Sequence, residues 1–316
     1  MIERDCGKGK DAWHVPVMAD EVNLLLIRDT TRIILDCTVG CGGHAAAMLR
    51  VAPPDAVLVG LDLDEDALGM AKARLSEFGD RVTLKKMNFR DIGTGLPAGI
   101  MGKVNALLID CGISKLQIVK PDRGFSFDRD GDLDMRFDRS ASISASSVLS
   151  GMDVDELGGL LSQFGEKSRS RRIARAIIKA RDGGRLGTTA DLATVVKSVV
   201  RVRAAKSLAR VFLAIRSRVN RELENLSQAL DALPQVLASG GRAAVIAYHG
   251  TEDRIAKLQF RKSSGRCVCP PGHIVCDCGK HAWFTVLTPR PLTPSAEETK
   301  RNPSSRSARI RVVEKM

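Results

Sequence analysis

The 316-residue sequence predicts an α/β protein, a doubly wound domain interrupted by a mainly helical insertion. Three observations carry that prediction. Short apolar runs alternate with helical segments through the first third of the chain. Strand character stops near Leu116 and returns only at Arg242. The stretch between is strongly basic and reads as helices alone. Apolar and charged fractions of 44% and 27% exclude a disordered or collagen-like chain.

Ile33-Ile34-Leu35-Asp36 is the first strand; glycines at 40, 42 and 43 and the helix formers Ala45 to Arg50 complete a strand, tight turn and helix. Val57 to Leu61 is a second buried strand ending at Asp62, and Glu65 to Phe78 carries apolar residues at helical spacing. Arg81 to Leu84 and Val104 to Ile109 add two strands, so repeated βα units imply a parallel sheet with helices on both faces. Arg123 to Arg139 is rich in Asp, Arg and Gly, and helices follow from Asp153 to about Lys206. A helix from about Val219 to Leu237 and a Gly240-Gly241 turn lead into the strand Arg242 to Tyr248. The Pro-, Ser-, Thr- and Arg-rich tail from Pro289 is expected to be loop or loosely held. The expected organisation is thus 1–117 as the first part of the α/β domain, 118–215 as a basic helical insertion, 216–288 as the second part and 289–316 as a basic tail.

Lys and Arg number 49 against 37 Asp and Glu, and between Gly151 and Glu222 the count is 16 against 7, so most of the excess lies in that middle segment. Nucleic acid is the polyanion such clustering suits, because clustered cations release counterions from phosphates; a solvated helical face is the alternative. Within residues 168–179, Arg171, Arg175 and Lys179 share one helical face and Ile173, Ala176 and Ile177 lie mainly on another. One Tyr and two Trp make stacking platforms scarce, so recognition is expected to rest on charge, shape and base flipping. No apolar run approaches the roughly 18 residues of a membrane span, and Met1-Ile2-Glu3-Arg4-Asp5 leads into no secretory h-region, so a cytoplasmic location is expected. Eight cysteines in such a chain are not a disulfide framework. Cys267, Cys269, Cys276 and Cys278 form a C-x-C-x6-C-x-C cluster with His273 between the pairs. Four thiolates can enclose zinc, but the pairs are closer than usual zinc spacing, and a metal-free surface loop is the preferred reading.

Asp36-Cys37-Thr38-Val39-Gly40-Cys41-Gly42-Gly43-His44 is the most informative short stretch. Glycines after a strand let the backbone bend sharply and approach a ligand. Asp62, at the end of the next strand, is placed to accept hydrogen bonds from both ribose hydroxyls of an adenosine ligand. Spacing alone does not separate two nucleoside cofactors, since Gly40, Gly42 and Ala45 also satisfy the permissive dinucleotide fingerprint of an NAD(P)-dependent oxidoreductase. The fourth strand tilts the choice: it ends at Asp110, followed by the small-residue loop Cys111-Gly112-Ile113-Ser114. Such an end suits a transferase that holds an acceptor amine against an activated methyl group. The exocyclic amine of cytosine is a poor nucleophile, and a carboxylate accepting from its N–H favours charge development in the transition state.

Further motifs recur in fixed order: His14-Val15-Pro16-Val17, Arg123-Gly124-Phe125-Ser126-Phe127, Leu133-Asp134-Met135-Arg136, Arg216 with Asn220 and Glu222, His249 with Glu252-Asp253-Arg254, and Asn302-Pro303 with Arg306-Ser307-Ala308. With the glycine stretch, they make the chain from about His14 to Arg311 resemble the RsmH/MraW family of bacterial small-subunit ribosomal RNA (cytosine-N4)-methyltransferases. The resemblance implies a Rossmann-like class I S-adenosyl-L-methionine-dependent methyltransferase domain. It implies as substrate one cytidine in the decoding region of 16S rRNA, with the small ribosomal subunit as partner. Cofactor contacts would fall on Gly42, Gly43, His44, Asp62, Phe89, Asp110 and Gln117, with Asp110 also catalytic. Departures from the family pattern, at Lys115, Asp132, Tyr248, Gly250, Ser207, Ala209 and Leu213, lie away from those positions. A non-catalytic ribosome-assembly factor on the same fold is the remaining alternative.

Overall fold

The computed structural model describes residues 15–200, 202, 204–270, 275–276 and 281–316. They form two compact units: Ile113–Glu222 is one, and the segments before and after it make the other.

The first unit is built on a seven-stranded sheet of β1 (Ile33–Asp36), β2 (Val57–Asp62), β3 (Val82–Lys86), β4 (Val104–Asp110), β5 (Leu237–Ala247), β6 (Phe284–Val286) and β7 (Arg309–Lys315), in the order β3-β2-β1-β4-β5-β7-β6. The first five strands of that order are parallel, and β7 runs antiparallel to both of its neighbours. The pleat explains why both faces are covered. Leu35, Leu61, Leu107, Ile109 and Val245 join one core cluster, whereas Ile34, Leu58, Ala106, Leu108 and Ile246 join the other. Successive side chains therefore point into opposite, equally apolar layers. The first core is closed by Leu226, Leu230 and Leu233 of the helix Glu222–Val236, and the second by Leu26 of Ala19–Leu26 and Met48 of Gly43–Val51. This is the Rossmann-like, doubly wound architecture expected, with its switch point between β1 and β4, where strand order reverses.

The tail departs from expectation. Instead of a loose loop, residues 309–315 insert as β7 between β5 and β6, with Ile310, Val312 and Val313 wholly buried. Their apolar pattern is a short strand hidden behind a Ser- and Arg-rich approach. Arg311 is buried and paired with Asp253 at 2.6 Å, and Arg309 reaches the same carboxylate at 3.2 Å. The helix expected over about 219–237 is also two helices, Ala204–Asn220 and Glu222–Val236, separated by Arg221 at φ 52.

The second unit contains helices and no named strand among the described residues. It is wider than the expected 118–215. Ser114 and Gln117 cap each other's backbone to start the helix Lys115–Val119, and the long helix runs on past Arg216 to Asn220. Several arginines of the recurring motifs are structural. Arg123 is buried and donates to the carbonyls of Arg136 and Phe137 at 3.1 and 3.2 Å. Arg136 grips Asp134 through two contacts of 2.8 Å, and Arg216 grips Glu222 at 2.8 and 2.7 Å. Asn220 then ties the turn to the helix, donating to the Met135 carbonyl at 2.7 Å and accepting from the Phe137 N–H at 2.8 Å. The turn itself requires Gly124: φ is +68, and a Cβ there would lie 2.2 Å from the Asp132 carbonyl oxygen.

The basic helix spans Ser170–Asp182 and buries Ile173, Ala174, Ile177 and Ala180. Arg172, Arg175 and Lys179 are exposed and fall within one narrow arc of the helix. Arg171 instead pairs with Asp155 at 3.0 Å, and Arg181 donates to the carbonyls of Leu149 and Met152 at 2.9 and 2.7 Å. No helix among the described residues is long and apolar enough to cross a membrane.

Candidate active site

Asp36, Asp62 and Asp110 end β1, β2 and β4, three adjacent strands of the parallel sheet. Each continues the side-chain alternation of Ile34, Leu58 or Leu108, so all three carboxylates leave the sheet toward the same face. Parallel strand ends at a switch point leave a crevice that sequence-distant residues share.

The turn after β1 is held by these carboxylates. Thr38 N–H donates to Asp36 Oδ1 at 3.1 Å, Gly40 N–H to Asp62 Oδ2 at 2.8 Å, and Asp64 N–H to Asp62 Oδ1 at 2.9 Å. The Thr38 hydroxyl accepts from the Asp110 N–H at 2.7 Å, joining the turn to β4. Gly40 and Gly42 have φ of +50 and +78, a region that favours glycine, and a Cβ on Gly42 would press on Leu75 at 3.2 Å. The helix Gly43–Val51 starts there, with His44 in its first turn.

His44 is buried, and its Nε2 lies 3.6 Å from Asp110 Oδ2, which is ion-pair distance when the imidazole is protonated. On the other side of Asp110, the Tyr248 hydroxyl donates to its carboxylate. Tyr248 sits just past the end of β5, the parallel neighbour of β4, where Asp110 is in register with Ile246. Burial and the adjacent Asp110 charge push the Tyr248 phenol far above its ordinary range, so it stays a protonated donor. Its own N–H and that of His249 donate to Glu252 Oε2 at 2.9 and 3.1 Å, which fixes the strand exit.

Desolvation dominates the electrostatics. It pushes Asp36 up to about 7 against the Thr38 hydrogen bond, with the Asp110 and Asp62 charges adding to the rise. It pushes Asp110 up to about 6, opposed by hydrogen bonds from Tyr248 and the Gly112 N–H. Asp62 is raised for the same reason, less the backbone hydrogen bonds it accepts. Asp110 Oδ1 and Asp36 Oδ2 are buried and accept no hydrogen bond from any described residue. The first unit therefore holds a crowded set of carboxylates that a cation or a set of N–H and O–H donors would relieve. Cys37 contributes no nucleophile, since burial and then Asp36 raise its thiol far above the ordinary value.

Of the residues singled out by sequence, Gly42, Gly43, His44, Asp62 and Asp110 come together at these strand ends. Phe89 opens the short 3-10 turn Phe89–Asp91 after β3 and is partly buried against the core. Gln117 belongs to the second unit, where it is buried and its side-chain oxygen accepts from the Ser114 N–H at 3.0 Å. Tyr248, which the sequence marked only as a departure lying away from the cofactor positions, instead donates to Asp110. The contact depends on the β4–β5 register, which puts Tyr248 two residues beyond the partner of Asp110 and which no spacing along the chain reveals.

Residues 11–316 match the MraW methylase family. A protein of Citrifermentans bemidjiense named Ribosomal RNA small subunit methyltransferase H is 38% identical over 311 residues, covering 97% of this chain and all of the relative. A protein of the same name from Symbiobacterium thermophilum is 39% identical over 307 residues, covering 96% of each.

The raised Asp36 sets a stability test. Asp36 binds its proton more tightly in the folded chain than in the unfolded one, where 3.8 is the ordinary value. Its contribution to stability is therefore fully present below about pH 4 and is lost as pH rises through about 7. Asp36→Asn keeps the acceptor for Thr38 and removes the titration. In urea unfolding of the ligand-free protein it is expected to match wild type near pH 4 and to exceed it by about 1–4 kcal/mol at pH 8. Parallel pH profiles for the two proteins would contradict the assignment.

Proposed function

The chain belongs to the MraW methylase family, and from that membership we propose that it methylates N4 of a cytidine in the decoding region of 16S rRNA, using S-adenosyl-L-methionine. The single observation that carries the mechanistic part is the cluster of desolvated carboxylates at the ends of β1, β2 and β4.

The residues fit that cofactor. Its sulfonium and ammonium groups are cationic, and three raised carboxylates with two unoccupied buried acceptor atoms among the described residues favour a cation. The same cluster disfavours the rival nicotinamide dinucleotide, whose pyrophosphate is anionic and would face Asp36 and Asp110 beside the glycine turn. When bound, the cofactor supplies an activated methyl group. Asp62 is the acceptor for the ribose hydroxyls, its oxygens keeping lone pairs beyond those used by Gly40 and Asp64. Gly42, Gly43 and His44 at the helix start and Phe89 after β3 would hold the rest of the cofactor, and Gln117 is the one contact implied by the family resemblance that belongs to the second unit.

Asp110 is the catalytic residue. Its free Oδ1 accepts an N–H of the cytosine amine, orients the nitrogen lone pair and takes up the proton that the nitrogen loses as it gains the methyl group. A carboxylate pushed up to about 6 is ionised at neutral pH yet basic enough for that proton. Tyr248 and His44 position it. Because the reacting nitrogen must reach a strand-end crevice, the base leaves its stack. Backbone phosphates are the natural partners of Arg172, Arg175 and Lys179, with 16S rRNA within the small ribosomal subunit as the polyanion. A cytoplasmic location follows from such a substrate.

Incubation with labelled cofactor and small ribosomal subunits, followed by mass spectrometry of the nucleosides, is expected to place the label on N4 of cytidine. Label on another base, or on protein, would overturn the reading. Asp62→Ala is expected to weaken cofactor affinity by at least tenfold, since each charge-assisted hydrogen bond contributes roughly 1.5–3 kcal/mol. Asp110→Ala is expected to lower single-turnover rate by about 100-fold or more, the scale of a lost general base. Calorimetric titration beside a single-turnover assay reads both.

Salt provides a separate check on the partner. The triple change Arg172→Gln, Arg175→Gln, Lys179→Gln is expected to flatten the log–log salt dependence of RNA affinity by about 2 units, at roughly 0.7–0.9 per phosphate contact. Cofactor affinity stays unchanged. An unaltered slope would assign the phosphate contacts elsewhere.

A further inference from the structure

The loop that follows the helix Gly250–Ser263 carries three cysteines among its described residues for which the methyl-transfer chemistry has no use. Cys267, Cys269 and Cys276 bring their Sγ atoms within 4.8 Å of one another. Cys276 Sγ lies 3.5 Å from Cys267 Sγ and 3.9 Å from Cys269 Sγ. These separations are far longer than the roughly 2.0 Å of a disulfide. They bracket the edge of a tetrahedron of thiolates around zinc, about 3.8 Å for Zn–S bonds of about 2.3 Å. Sequence neighbours alone do not produce this, because Cys276 must fold back across seven residues to meet Cys269.

We propose that these three thiolates bind one zinc ion that holds the loop between the helix Gly250–Ser263 and β6. Cys278 and His273, the sequence candidates for a fourth ligand, lie outside the described residues. Soft thiolates select zinc over magnesium or calcium. Binding converts thiols to thiolates and releases their protons to solvent, so no oxidant or reductant takes part.

The surroundings explain why a metal is needed there. The neck of the loop is closed by backbone, through a bridge between Ser264 and Ala282 and a Trp283 N–H donating to the Ser263 carbonyl at 2.8 Å. Among the described residues beyond the neck little apolar side chain is covered: Val275 is 74% exposed, and Cys267 and Cys276 are exposed. A segment without its own core depends on a staple. The site is structural rather than catalytic. The helix Gly250–Ser263 starts beside Tyr248 and runs fourteen residues, about 21 Å, before the loop begins.

The full chain, purified under reducing conditions from zinc-supplemented cells, is expected to contain about one zinc per molecule by plasma mass spectrometry, with X-ray absorption reporting at least three sulfur ligands. Cys267→Ser with Cys269→Ser is expected to lose the metal. If that variant fails to fold, wild-type protein answers the question by itself. Ejecting zinc with a thiol-specific mercurial and a chelator is expected to speed proteolytic cleavage within residues 266–282 by about tenfold or more, while cofactor affinity changes less than about twofold. Wild-type protein with less than about a tenth of an ion per chain, coordination by oxygen and nitrogen alone, or a disulfide among these cysteines in the native mass would overturn the proposal.

Discussion

Carboxylates crowded together and largely desolvated at the ends of three parallel strands are the constraint on which the rest of this molecule turns. Asp36, Asp62 and Asp110 reach one face because β1, β2 and β4 lie side by side and their last side chains share one phase of the pleat. Their oxygens hold the glycine turn through Thr38 and Gly40, and that turn aims the helix Gly43–Val51 with His44. Local architecture and electrostatic tension therefore come from the same atoms. Relief of that tension by a cationic ligand is what makes this strand end a seat for a sulfonium cofactor rather than for a pyrophosphate.

Much of the first unit was legible because it follows from periodicity and turn chemistry, which are local. The strands ending at Asp36, Asp62 and Asp110 could be read from apolar runs, and the positive φ at Gly40 and Gly42 accords with their place after a strand. β7 was not legible in the same way. Its burial depends on Asp253, 58 residues earlier, neutralising Arg311 inside the unit, and a sequence window of local size sees only a basic tail. Tyr248 escaped for a related reason, since its contact with Asp110 arises from the β4–β5 register and not from spacing along the chain.

Charge was the least transparent property of the sequence. Arg123, Arg136 and Arg216 stand in segments that look made for phosphate, yet each is engaged by carbonyls or carboxylates within its own unit. Such partners are invisible until the backbone is placed. Arg172, Arg175 and Lys179 are among the cations that stay exposed. A net-charge argument thus pointed to the class of partner correctly framed as polyanionic, while misplacing several of the cations that would meet it.

Proton release on cofactor binding reads the coupling between the strand-end carboxylates and a cationic ligand. Calorimetric titration with S-adenosyl-L-methionine near pH 6.5, repeated in buffers of different ionisation enthalpy, reports the protons exchanged. Asp36 and Asp110, pushed up to about 7 and about 6, are partly protonated there, and a bound cation lowers both. Net proton release is expected, larger than for S-adenosylhomocysteine, whose thioether carries no charge, and reduced in Asp36→Asn. Binding enthalpies that do not vary with buffer, or equal proton exchange for the two ligands, would contradict that coupling.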